Sequence, residues 1–143
     1  MTIAILWPTF VLVAAIYIVW FVMFVRRVAH MKRTPPGPTD FADGESAMRY
    51  FRPVEMPANN LRNLFEMPVL YFALVPLLML TRHAGHIEVV LAWIYVGLRI
   101  VHSLIHMGPN PVMPRFLVYL ASCVVLSAMW IGFAIDMASL PSV

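Results

Sequence analysis

Residues 3–25 read IAILWPTFVLVAAIYIVWFVMFV, an apolar run that carries no charge and is interrupted only by Pro8 and Thr9. At 1.5 Å of rise per residue, a helix of this length crosses a hydrocarbon core about 30 Å thick with some tilt. The run ends against Arg26 and Arg27, with Lys32 and Arg33 just beyond. No positive charge precedes it, its apolar length exceeds the ~7 to 15 residues of a signal-peptide core, and no small-x-small site follows, so it reads as a retained span. The whole composition agrees: of 143 residues, 62% are hydrophobic and 12% charged, with a mean hydropathy of +0.81. A soluble domain carries roughly a quarter of its residues as charges. These values indicate a membrane protein and exclude an intrinsically disordered chain. The single cysteine, Cys123, excludes a disulfide framework and any CxxC motif.

Three more apolar segments are long enough to span, over about 60–80, 87–107 and 115–137. The only long polar stretch, residues 26–58, separates the first from the second. Thr34-Pro35-Pro36-Gly37-Pro38 forbids helix within it, and a short amphipathic element is expected around Glu45 to Phe51. The other connections, Thr81 to His86 and Gly108-Pro109-Asn110-Pro111, are tight and make consecutive spans antiparallel neighbours. The expected fold is all-α: one transmembrane domain over 1–143, an integral membrane up-down four-helix bundle.

The net charge of +3 has a topological explanation rather than a nucleic-acid one. Arg26, Arg27, Lys32, Arg33, Arg49, Arg52, Arg62 and Arg115 all fall on the side of the first and third connections, whereas Arg82 alone falls on the other. By the positive-inside rule those connections face the cytoplasm and both termini face outward. The carboxy-terminal Leu140-Pro141-Ser142-Val143 carries no endoplasmic-reticulum retention signal, and a bacterial inner membrane is the expected location.

Ionisable residues inside a span cost about 2.5 to 3.5 kcal/mol each on insertion scales, so each calls for a partner or a purpose. In the second span Asn59, Asn63 and Glu66 recur at i, i+4, i+7, with Arg62 one position round. The third carries Arg99, His102 and His106, and the fourth Arg115, Tyr119 and Ser122. All three stripes lie near the same membrane face, where Arg26 and Arg27 also end the first span. Together they read as a pocket for a polar, mostly anionic ligand. Blander roles stand beside this one: Arg26 and Arg27 as interfacial anchors, Glu66 and Arg99 as a buried ion pair that fixes register, His102 and His106 as haem or metal ligands. Pro68 and Pro76 mark expected kinks, and Trp7, Trp20, Trp93 and Trp130 an interfacial belt or lipid-facing packing.

The run Arg62-Asn63-Leu64-Phe65-Glu66, followed by Arg99-Ile100-Val101-His102, then His106-Met107-Gly108, then Arg115 and Tyr119, resembles the membrane-associated proteins in eicosanoid and glutathione metabolism. That superfamily includes microsomal glutathione transferases and microsomal prostaglandin E synthase. The resemblance covers nearly the whole chain and matches its length, span count and long first connection. It implies a homotrimer in a lipid bilayer, with glutathione as co-substrate between protomers near the cytoplasmic face and a lipophilic electrophile as second substrate. It further implies glutathione contacts at Arg62, Asn63, Glu66, His102 and Tyr119, a carboxylate contact at Arg26 or Arg27, and a catalytic Arg115 beside the thiol. Arg99 and His106 complete the candidate set, and no metal ligand belongs to it. Two positions depart from the pattern: His106 stands where synthase-like members have a tyrosine, and Phe116 where a serine can follow the catalytic arginine. The expected activity is glutathione-dependent transfer or peroxide reduction. A non-catalytic accessory or scaffold subunit is the alternative, and a small haem or metal protein using His102 and His106 a third.

Overall fold

The structure, a computed structural model, describes residues 3–139; the Leu140-Pro141-Ser142-Val143 segment lies outside the described residues. All regular elements among them are helical: α1 (Leu6–Arg33), α2 (Gly44–Phe51), α3 (Met56–Asn63), α4 (Pro68–Leu80), α5 (His86–Met107) and α6 (Val112–Ala138). Two 3-10 turns, Ile3–Ile5 and Arg52–Val54, precede α1 and α3. Four stretches are long and apolar enough to cross a membrane: Ile3–Arg33, Met56–Leu80, His86–Met107 and Val112–Ala138. The protein is a multi-pass integral membrane four-helix bundle.

α1 runs past Val25, where apolarity stops, to Arg33. The residues between, Arg-Arg-Val-Ala-His-Met-Lys-Arg, include no glycine or proline, so nothing breaks the backbone hydrogen bonds there. The helix stops at Thr34 (φ −133°, ψ 82°), because the ring of Pro35 excludes a helical conformation for the residue before it. Arg26 and Arg27 therefore sit on a helix rather than in a loop. Beyond it, α2 folds back onto α1 through an aromatic cluster. The His30 ring lies 4.9 Å from Tyr50, and Phe41 lies 5.4 Å from Tyr50 and 5.8 Å from Phe51. The Tyr50 hydroxyl donates to the Thr34 carbonyl oxygen. Asp43 caps α2 by accepting from the Ser46 N–H at 2.7 Å, a bond that holds its carboxyl below the usual carboxylate range.

The expected helix over 60–80 is two helices, with a turn over residues 64–67 between α3 and α4. Pro68 has no N–H to give the Leu64 carbonyl, and its ring clashes with that group. The chain tightens to i+3 bonds there, Phe65 N–H to Arg62 O at 3.0 Å and Leu70 N–H to Met67 O at 3.0 Å. Pro76, by contrast, lies inside an unbroken α4.

α5 is the central helix: Ala92, Tyr95, Val96, Arg99, His102, Ser103 and His106 are all buried, at the 3-to-4-residue spacing of one helix face. Its most extensive partner is α6, and α1 and α3 cover the rest. The turn before α1 and α1 itself commit only a narrow stripe, in which Ile5, Leu12 and Val19 recur every seventh residue, while Trp7, Phe10, Tyr17, Trp20, Phe21 and Phe24 point outward. In water that face would be untenable; in hydrocarbon it costs nothing. Trp93 is likewise exposed, and Trp130 packs on Phe133 at 6.3 Å. At mid-bundle Tyr71 stacks on Tyr95 at 5.0 Å and shares a 3.0 Å hydrogen bond with Thr9.

Both tight connections close on residues with left-handed backbones, Arg82 (φ 62°) and Asn110 (φ 54°). The N–H after Arg82 returns to Leu78 O at 2.8 Å, and that of Asn110 to Ile105 O at 3.1 Å, so each satisfies a helix-end carbonyl.

Candidate functional site

The end of the bundle formed by α3, the last turns of α5 and the first turns of α6 contains a cleft of about 240 Å³. Asn63 lines it from α3, His102 from α5, and Val112, Met113, Arg115, Phe116 and Tyr119 from α6. Four candidate residues from three helices thus meet in one place. Arg115 and Tyr119 are one turn apart on α6, which the helical period dictates. Asn63 and His102 reach them only because α3 and α5 run antiparallel side by side.

Arg115 donates from Nη1 to Asn110 Oδ1 at 2.6 Å. Asn110 is a residue that sequence reasoning missed. Its signal was present in Gly108-Pro109-Asn110-Pro111, since asparagine is the side chain that best tolerates a left-handed turn position. His102 lies with its ring 5.7 Å from Tyr119 and 5.7 Å from His106, and both histidines are buried with Nδ1 unpartnered by protein. Among the described residues no third His, Cys, Asp or Glu joins them to form a metal-binding group.

Arg99 is fully buried, 0% exposed. The structure does not pair it with Glu66: its Nη2 donates to the Asn63 carbonyl oxygen at 2.7 Å, and its guanidinium lies 5.4 Å from the Tyr119 ring centroid. Glu66 falls in the turn between α3 and α4 and is exposed, because the break at Pro68 interrupts the helical period that would place it beneath Asn63. The buried Glu66–Arg99 ion pair is therefore not formed, and Arg99 supports the cleft from behind rather than lining it.

The basic residues outside the cleft fall into separate places. Arg27 is held by Glu55, 3.4 Å from both carboxylate oxygens, with its guanidinium 4.7 Å over the Phe51 ring. Neither Glu55 nor Phe51 carried a signal in the sequence that tied it to Arg27. Arg26 is exposed on α1 beside Ala29 and Val54. Arg62 lines a different cleft of about 510 Å³ with residues of α2. The chain thus assembles a cation, a phenol, an imidazole and an amide in this cleft, and leaves Arg26, Arg62 and Glu66 on its surface.

A sequence model of the MAPEG family matches residues 5–135. The chain belongs to the MAPEG family. No curated protein and no solved structure matches it. The match runs from the turn before α1 into the last turn of α6, so it covers nearly all of the four spans and every residue that lines the cleft. MAPEG proteins include glutathione-dependent transferases and peroxidases as well as non-catalytic members. A guanidinium beside a phenol favours an anionic group such as a thiolate over its protonated form, and the phenol can donate to it. Arg115 is the one guanidinium among the residues that line this cleft.

Proposed function

We propose that this MAPEG protein is a glutathione-dependent transferase or peroxidase acting on a lipophilic electrophile, with its site on the cytoplasmic face of a bacterial inner membrane. The observation that carries the reading is the convergence of Arg115, Tyr119, His102 and Asn63 on one cleft at the basic end of the bundle. In this reading the Arg115 guanidinium and the Tyr119 hydroxyl stabilise the glutathione thiolate. The thiolate sulfur attacks an electrophilic carbon that arrives from the hydrocarbon, the new S–C bond forms, and the leaving group departs with its electron pair. His102 and the Asn63 amide orient the tripeptide, so their contribution is proximity rather than proton transfer.

A homotrimer supplies what one protomer lacks. Arg26, Arg62 and Glu66 are exposed on span surfaces, and a charged side chain facing lipid is costly. A neighbouring copy that covers them relieves that cost and brings two cations for the carboxylates and one anion for the ammonium group. The basic flank after α1 supports outward termini, with this cleft facing the cytoplasm.

The test is conjugation of an aryl halide and reduction of a lipid hydroperoxide by the purified protein, with glutathione binding followed by calorimetry. Arg115→Ala is expected to lose about a hundredfold in kcat/KM, the scale for removing one charge-stabilising donor. Absence of both binding and turnover overturns the reading in favour of an accessory subunit.

A further inference from the structure

The geometry points to Met56 as a modification site: a hydroperoxide oxidises its thioether to the sulfoxide, and the change reaches Arg115 through Asn110. The Asn110 amide is held at both ends. Its Oδ1 accepts from Arg115 Nη1 at 2.6 Å, and its Nδ2 donates to the Met56 sulfur at 3.3 Å. Only this orientation of the amide serves both partners, because a guanidinium only donates and a thioether only accepts. Three side chains, from α6, the connection before it and the first residue of α3, thus form one relay with the sulfur at its outer end.

The sulfur is within reach of an oxidant. Met56 is 38% exposed and opens the stretch Met56–Leu80, at the level where that span enters the bilayer. A hydroperoxide formed on an acyl chain is more polar than the hydrocarbon around it and moves towards that level. Met56 and Asn63, two turns apart, share the face of α3 that meets α5 and the connection after it. Arg62 instead points towards α2, so a neighbouring copy that covers Arg62 lies against a different face.

In the oxidation a sulfur lone pair attacks the outer peroxide oxygen, and the O–O bond breaks as the S–O bond forms. The proton passes to the alkoxide, which leaves as an alcohol. Sulfur loses two electrons, the hydroperoxide gains them, and an apolar thioether becomes a polar sulfoxide. A 3.3 Å contact has no room for an added oxygen between the sulfur and the amide nitrogen. Both backbones are held: Asn110 sits in a left-handed turn with its N–H on Ile105 O at 3.1 Å, and Met56 is followed by the buried Pro57. The side chains therefore take up the change. The amide is a rigid plane, so a turn that moves Nδ2 also moves Oδ1 off Arg115. The effect on turnover rests on the reading of Arg115 as the group that stabilises the thiolate; the relay itself does not. With that reading, excess peroxide slows the enzyme that consumes it, and methionine sulfoxide reductases restore it.

The test treats the full chain, in nanodiscs of saturated phosphatidylcholine, with cumene hydroperoxide. Peptide mass spectrometry then follows methionine sulfoxide and the rate at which phenylglyoxal labels Arg115. That rate is expected to rise about threefold as Met56 oxidises, the scale of one weak hydrogen bond, and to return after treatment with sulfoxide reductases of both epimer specificities. Met113 lines the catalytic cleft and is 65% exposed, so it oxidises too; M56L carries that background and should show no rise. N110G, which has no relay, should label fast before the oxidant and no faster after it. An equal rise in M56L and wild type would overturn the site, as would constant labelling of Arg115 while Met56 oxidises. So would a Met56 that stays reduced while the exposed Met48 oxidises. Glutathione turnover should fall by the same factor in oxidised wild type and hold in oxidised M56L. If the untreated protein shows no turnover, the function proposed for Arg115 fails, and the labelling still decides the relay.

Discussion

Arg99 Nη2 donates to the main-chain carbonyl oxygen of Asn63 at 2.7 Å, a hydrogen bond from the central helix to the point where the second span breaks. In a continuous helix the Asn63 carbonyl would accept the N–H of Met67. The break before Pro68 frees that carbonyl, and a lone carbonyl inside a membrane needs another donor. Arg99 supplies it while holding its guanidinium 5.4 Å from the Tyr119 ring, so the geometry of the cleft depends on a buried cation that is not itself in the cleft.

Arg99→Lys and Arg99→Met are expected to separate the two energies in that arrangement. Lysine keeps the buried charge but loses the fork that reaches Asn63, a hydrogen bond from a charged donor contributing about 1.5 to 3 kcal/mol. Methionine also orphans the carbonyl, at about 1 to 3 kcal/mol, but removes a buried charge that costs about 2.5 to 3.5 kcal/mol. The lysine variant should therefore melt well below the methionine variant in detergent. The reverse order would mean that the charge itself is compensated.

Asn110 positions the catalytic candidate. Asn110→Gly keeps the left-handed backbone at φ 54° and removes only the acceptor for Arg115. Thermal stability should change little while kcat falls about tenfold with KM nearly constant, as expected when a group acts mainly on the transition state. A fall confined to KM would reassign Arg115 to ligand binding.

Glu55 occupies the Arg27 guanidinium, for which the family resemblance implies contact with a glutathione carboxylate. The pair is partly exposed, so its contribution to stability is modest, about 1 kcal/mol or less. Glu55→Gln should leave the melting temperature nearly unchanged and lower the KM for glutathione severalfold. An unchanged KM would exclude Arg27 from the glutathione site.

The Asp43 cap gives α2 a defined response to acid. The Ser46 N–H bond lowers the folded-state carboxyl below its unfolded value. The cap is therefore fully in force above the unfolded value, and its contribution is lost as pH falls through the lower folded value. Protection of the Ser46 and Ala47 amides from hydrogen exchange, relative to the free-peptide rate at the same pH, should fall in that acidic range, and Asp43→Ala should show low protection already at neutral pH. Equal exchange in the two proteins at neutral pH would show that the aromatic cluster, and not the cap, holds α2.

Much of this was legible residue by residue. The uncharged run over 3–25 and the three later apolar segments define four spans because a hydrocarbon core demands length and apolarity, both of which a sequence displays directly. Arg62-Asn63 with Glu66, Arg99 with His102, and Arg115 with Tyr119 carried the family. Helix ends were less legible: apolarity stops at Val25, but only a residue before proline, Thr34, ends α1.

What the sequence determined alone, then, is a membrane bundle with its cations at one end and the residues of a known family. Only the tertiary structure decided that Asn63, His102, Arg115 and Tyr119 share a cleft while Glu66 is turned out, Arg27 is held by Glu55 and Arg62 faces α2. Helical periodicity fixes which residues of one helix share a face. It says nothing of a break such as that before Pro68, nor of the register between helices, and contacts between residues 36 positions apart, such as Arg99 and Asn63, exist only once the helices have packed.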